Sequence, residues 1–331
     1  MAAIGGSSFP NGFTNGLMVR GLPLHTVHPG EGWYGNNSSV VAKGGIAGSN
    51  INDGTYRKPF STLTYALSRA LESRGDIIIL MPGHAETITA AAGIAVNKAG
   101  VAIVGLGVGS LRPTITYTTA NTATMTVAAN NVTIMNVLFV GGFLNVATAI
   151  NIVNAQIATD LTVDNCEFRD SSAILNFVSA VTFGTTANIS DGFTFSNNKV
   201  IAKASAPAAA TTAIVTASDA VRWDIRDNFC SHQVLLAATA VLIGAGALNI
   251  ANSLIQKNRV VRPNTDASNP LMISNTGTSW LGTMISDNYA GQLSGATGLL
   301  MNVSSKASFV NNYAMVTGAA DKSALINPVA V

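Results

Sequence analysis

The stretch "LTVDNCEF", residues 161–168, alternates apolar and polar residues, breaks at an Asn, and then resumes the alternation. Close variants follow: "FTFSNNKV" at 193–200, "WDIRDNFC" at 223–230, "SLIQKNRV" at 253–260, "TMISDNYA" at 283–290 and "ASFVNNYA" at 307–314. Aligned on the Asn, they place Asn136, Asn165, Asn198, Asn228, Asn258, Asn288 and Asn312 in one column, at intervals of 29, 33, 30, 30, 30 and 24 residues. Upstream, "VAIVG" at 101–105 matches "VTIMN" at 132–136, with Gly105 in the Asn place. A near-constant period of this size marks a repeat architecture in which each unit buries its face against its neighbours. The units are short runs of Val, Ile, Thr and Phe with two-residue alternation, punctuated by Gly, Asn and Ser, so they read as strands rather than helices. Propeller blades need about 40–45 residues, and leucine-rich repeats need a Leu framework.

Each unit divides into three strands. In one these are "TATMTVA", "VTIMN" and "VLFVGG"; in the next they are "TAINIVN", "DLTVDN" and "CEFRD". Stacked at about 4.8 Å, such rungs bring equivalent Asn side chains into a ladder, each amide donating to one neighbour and accepting from the other. The column is read as structural, because an unpaired amide buried at a bend costs about 1–3 kcal/mol.

Composition narrows the function classes. Only 10% of the 331 residues are charged, against about 25% in ordinary domains. A net charge of +2 gives no reason to expect nucleic acid or an anionic membrane as partner. The two cysteines, Cys166 and Cys230, fall two rungs apart, beyond the reach of a disulfide, and are expected to be free. No signal peptide is expected from "MAAIGGSSFPNGF". The apolar run Val234–Leu248 is too short for a span and falls where the repeat requires strands.

Residues 1–50 carry no repeat and are predicted to form an irregular arm, with one strand near "GWYG". Its apolar residues Phe9, Phe13, Met18, Leu22, Leu24, Trp33 and Tyr34 are candidates for docking on a partner. Residues 51–75 read as a turn and a helix capped by Ser61, with Leu63, Ala66, Leu67, Ala70 and Leu71 on one face and Gly75 as its stop. The coil then spans 76–316, and 317–331 form a tail.

"DGTYRKPFSTLTYAL" followed by "GDIIILMPGHAET" resembles the opening of right-handed parallel β-helices of the pectate-lyase-like superfamily, in which a short helix plugs the coil. The resemblance covers roughly residues 51–316 and implies an all-β, right-handed, single-stranded parallel β-helix with an N-terminal capping helix. The leading "FPNGF", "VRGLPL" and "HPG" resemble virion β-helix proteins of tailed bacteriophages, capsid-decorating (cement) proteins among them. That resemblance implies a structural protein on the capsid exterior, an oligomer (a trimer in such families), and the major capsid protein as partner. The alternative is a tailspike-type coil that binds or cleaves host surface polysaccharide.

Catalytic signals are sparse. Asp164, Asp227 and Asp287 are the best candidates for acids on one edge, with Lys257 between the last two; a glycosidase needs two carboxyls at fixed separation. The expectation is no enzyme, no cofactor and no metal. His25, His28, His84 and His232 complete no familiar ligand set. "GLGVGS" at 105–110 precedes a strand, not the helix a nucleotide loop requires. The basic residues Lys199, Lys203, Arg222, Arg226, Lys257, Arg259 and Arg262 lack an aromatic platform for nucleic acid, and suit an acidic partner surface instead.

Overall fold

In the computed structural model the described residues are 17–19, 22–24, 30–38, 41–153, 158–203, 211–232, 241–246, 248–262, 272–275, 280–292, 301–302, 307–316 and 324–325. They form a parallel β-helix with three long sheets. The first sheet has ten strands, from Gly32–Gly35 and Ile77–Leu80 to Ser308–Val310. The second has ten, nine parallel from Ala85–Ile88 to Tyr313–Val316, with Ala324–Leu325 added antiparallel at its end. The third has eight, from Ile94–Val96 to Met301–Asn302. One rung supplies one strand to each, as Thr133–Met135, Leu138–Gly141 and Ile150–Ile152 do.

Two-residue alternation fixes what faces inward. On the first sheet Ile103, Ile134, Val163, Phe195, Ile225, Ile255 and Ile285 stack in register and are fully buried. Phe139 stacks on Phe168 at 4.9 Å between ring centroids in the second sheet. Each such side chain contributes about 1.5–3 kcal/mol, so a repeat of modest residues builds a continuous core.

Two columns of left-handed residues bracket the strands of the first sheet. Gly75, Gly100, Asn131, Asp160, Gly192, Arg222, Asn252 and Gly282 precede them; Asn136, Asn165, Asn197, Asp227, Lys257, Asp287 and Asn311 follow. Gly, Asn and Asp dominate because they adopt this backbone most cheaply.

The strand register corrects the Asn column. Asp164 pairs with Ser196, so Asn165 is the equivalent of Asn197, and Asn136 of Asn165. The hydrogen-bonded ladder therefore runs one residue later, through Asn198, Asn228, Asn258, Asn288 and Asn312, with Val137 and Cys166 in its earlier places. Along it the Nδ2 of Asn228 donates to Asn258 Oδ1 at 2.9 Å and to the Phe195 carbonyl at 2.7 Å. The Asn228 N–H donates to the same Asn258 Oδ1 at 3.2 Å. Asn258 repeats this toward Asn288 and Ile225, and Asn288 toward Asn312 and Ile255. At the start, the Cys166 N–H donates to Asn198 Oδ1 at 2.8 Å. Asn165 makes a single side-chain bond, to Asn136 Oδ1 at 3.3 Å.

The capping helix spans Leu63–Arg69. Thr62, not Ser61, is its N-cap, accepting from the Tyr65 N–H at 3.2 Å; Ser61 instead bonds Asn50 Oδ1. Leu63, Ala66 and Leu67 point into the coil. The helix stops at Ala70, five residues short of Gly75, because Asp76 takes the next free N–H, that of Leu71, at 3.0 Å. Asp76 also accepts from Glu31 N, Trp33 Nε1 and both Arg74 Nε and Nη2. Burial pushes this carboxyl up, but Arg74 and the other donors outweigh burial and hold it well below the ordinary carboxylate range. Because Gly32–Gly35 pairs with Ile77–Leu80, the coil begins inside the segment read from sequence as an arm.

Candidate functional site

The predicted docking residues divide. Phe9 and Phe13 lie outside the described residues. Met18 lies on Leu17–Val19, and Leu22 and Leu24 on Leu22–Leu24; the two strands form an antiparallel pair. Trp33 and Tyr34 are used internally. Trp33 stacks on Phe60 at 5.8 Å and bonds Asp76, while Tyr34 meets Tyr56 edge-on at 5.7 Å. Local reading misses this because Trp33 and Asp76 are 43 residues apart.

What the cap end does offer is the crossing at 41–57, which exposes Val41, Ile46, Ile51 and Tyr56, Ile51 at 94%. It is held by its own polar frame: Asn52 Nδ2 donates to the Ala47 and Pro59 carbonyls at 3.0 and 2.8 Å.

The three candidate acids do not share an edge. Asp164 lies on the first sheet, in line with Ser196 and Arg226. Its Oδ1 accepts from Ser196 Oγ at 2.6 Å and Asn197 Nδ2 at 2.8 Å. Asp227 and Asp287 occupy the left-handed corner, exposed, with Lys257 between them. No ion pair within 4.0 Å joins Asp227, Lys257 and Asp287, so the three are a row of solvated side chains. Other carboxylates are engaged: Glu167 with Arg112 and Arg169, Asp191 and Asp160 with Arg222. Among the described residues no group of three His, Cys, Asp or Glu side chains is placed to hold a metal.

The described histidines, His84 and His232, and both cysteines are interior. Buried His84 accepts from the Asn37 N–H at its Nδ1 and meets Glu86 at 3.2 Å; Glu86 in turn receives the Leu63 N–H at the start of the helix. His25 and His28 lie outside the described residues. Cys166 and Cys230 are buried and free, and burial pushes both thiols up to about 12. "GLGVGS" forms a turn and one 3-10 turn, Gly109–Leu111, before the strand Thr114–Tyr117.

One exposed row escapes the sequence reading. Immediately after each ladder Asn, on the outer face of the second sheet, stand Lys199, Phe229, Arg259, Tyr289 and Tyr313, paired rung to rung. The Arg259 guanidinium lies over the Phe229 ring at 5.6 Å and the Tyr289 ring at 5.7 Å. The signal is present in the sequence as the residue following each Asn: "NNK", "DNF", "KNR", "DNY", "NNY".

No protein-family model matches this chain, and no curated protein does. Solved structures do. A rhamnogalacturonan lyase aligns with TM-score 0.48 and 13% identity over 86% of this chain and 87% of its own. The pectate lyase Pel9A aligns with TM-score 0.46 and 14% identity over 87% and 80%. ORF18 of Geobacillus virus E2 aligns with TM-score 0.34 and 14% identity over 84% and 61%. At such identities the likeness is one of fold. It corrects one expectation, that the chain is not an enzyme: two of the similar structures are lyases, so the exclusion drawn from sparse acids is withdrawn.

Proposed function

We propose that this chain is a structural virion protein that decorates a bacteriophage capsid from outside. In this reading it docks on the major capsid protein through its cap end and packs with copies of itself, as a trimer. The observation that carries the reading is the cap-end crossing. Val41, Ile46, Ile51 and Tyr56 are each exposed in the segment that leads into the capping helix, where burial against a shell adds about 1.5–3 kcal/mol for each side chain fully covered. Binding only the assembled shell shifts the equilibrium toward assembly by mass action. Packing between copies is supported by the third sheet, none of whose eight strands carries a charged residue.

The test is co-sedimentation with purified, undecorated shells of the source virus. Wild type is expected to pellet in many copies per shell, and the double variant Ile46→Ser, Ile51→Asp to stay in the supernatant with an unchanged melting curve. Equal pelleting of the variant overturns cap-end docking; no pelleting of wild type overturns the decoration role.

A further inference from the structure

The row Lys199, Phe229, Arg259, Tyr289, Tyr313 serves neither the core nor the cap end. Arg259 is exposed, Tyr313 is 45% exposed, and Phe229 and Tyr289 are half-buried. Neither Lys199 nor Arg259 has a carboxylate of the described residues within 4.0 Å. The parallel outward row beside them is Ile201, Ser231, Val261 and Gly291, without charge. One rung upstream of Lys199, in the same outward row, the picture is opposite, since Glu167 stands there with Arg169 and Arg112 both bound to it. Asp227 and Asp287 stand off the row, on the left-handed corner.

The ring geometry narrows the ligand. Arg259 stands one rung from each of Phe229 and Tyr289 and lies over both rings. The faces of the two rings therefore look along the coil, and their rims look outward. Aromatic rims carry the positive edge of the quadrupole, and the exposed Arg259 guanidinium, set between the two rings, keeps N–H donors within reach of solvent. Rims plus a fixed N–H fork suit a carboxylate, which the fork takes in two parallel bonds. A sugar ring stacks on an open aromatic face, and the faces turned toward Arg259 are taken. Tyr and Arg at the centre of an exposed patch are also the residues that anchor protein–protein contacts. From Lys199 to Tyr313 the row runs about 19 Å, the length of about six extended residues.

We infer that this row is a docking surface for an extended acidic segment of a partner protein. The segment lies along the coil with one carboxylate on Arg259, a second near Lys199, and apolar side chains against the rims of Phe229, Tyr289 and Tyr313. The surface is separate from the cap end, so it stands or falls apart from shell attachment.

The experiment uses the purified full chain and a short fluorescein-labelled oligopeptide of alternating Glu and Leu, with alginate as competitor, at about 0.05 M salt, where charge contacts are least screened. Anisotropy is expected to show saturable binding, weakened at least about tenfold in Arg259→Gln. Arg259→Lys is expected to weaken it as well, because the fork is lost although the charge remains. Lys199→Gln, away from the rings, is expected to give a smaller loss, and all three variants should melt like wild type. Peptide affinity equal in wild type and Arg259→Gln, or no peptide binding at all, overturns the proposal. Alginate displacing the peptide at lower concentration than unlabelled peptide does assigns the row to a glycan and overturns it too.

Discussion

The Asn258 side chain holds three neighbours at once: the Asn228 N–H and Nδ2 through its Oδ1, and the Ile225 carbonyl and Asn288 Oδ1 through its own Nδ2. Asn258→Ala strands all of them in a buried corner, and a loss of about 1–3 kcal/mol is expected. Asn165, half-buried with one long side-chain bond, should lose under about 1 kcal/mol on the same change. Urea melts of the two variants compare them; equal losses would contradict a ladder that runs through Asn258 and bypasses Asn165. One residue earlier, Lys257 holds a left-handed backbone, φ +53°, in an exposed place without an ion pair. Lys257→Asn, matching Asn197 and Asn311 in the same column, should raise stability by about 0.5–1 kcal/mol. His232 gives the coil a pH edge. Burial, with Arg262 adding to it and the bond to the Thr211 carbonyl opposing, pulls its imidazole down to about 4. Between the ordinary value of about 6.5 and that value the unfolded chain takes up a proton that the folded chain refuses. Stability should therefore be level above pH 6.5 with respect to this group and fall by about 1.4 kcal/mol per unit below it. His232→Gln should flatten that slope, which denaturation at a series of pH values measures.

At the scale of elements, the cap is tied by one carboxylate. Asp76 joins the Gly32–Gly35 strand, the segment after the helix and Arg74. Asp76→Asn keeps the shape and removes the charge, and should cost about 1.5–3 kcal/mol, the range for hydrogen bonds to a charged group. Because the folded carboxyl is held low, this contribution is present at neutral pH and fades as pH falls below the ordinary carboxylate range. A melting difference from wild type that persists unchanged in strong acid would place the effect elsewhere. The strands themselves are legible in the sequence, since alternation and period are local. The ladder is displaced by one residue in its first two rungs because "NN" at 197–198 and 311–312 offers two equivalent Asn positions; only the pairing of Thr162 with Thr194 decides between them. Gly75 misleads as a helix stop because it is a left-handed residue of the corner column rather than a helix terminator. The Phe229–Arg259–Tyr289 row is visible in the repeat itself, but it emerges only when outward positions are compared between rungs instead of within one.

For the whole molecule, the 30-residue spacing of Asn228, Asn258 and Asn288 has a consequence for how such a chain tolerates change in length. Pairing between these rungs is in register strand by strand, Phe229 with Arg259 and Arg259 with Tyr289. Excising 229–258 joins Asn228 to Arg259 and leaves every later residue on the face it already occupies. The shortened chain should melt in a single cooperative transition at lower temperature, with one amide link fewer. Removing Ser231 alone is the smaller edit and the worse one, because it moves the buried His232 into an outward position of that strand and takes every later strand out of step with its rung. Circular dichroism of the two variants should rank them in that order. Length in this molecule is thus quantised: it can grow or shrink by whole turns, as a stack of coins does, and resists any change that is a fraction of one.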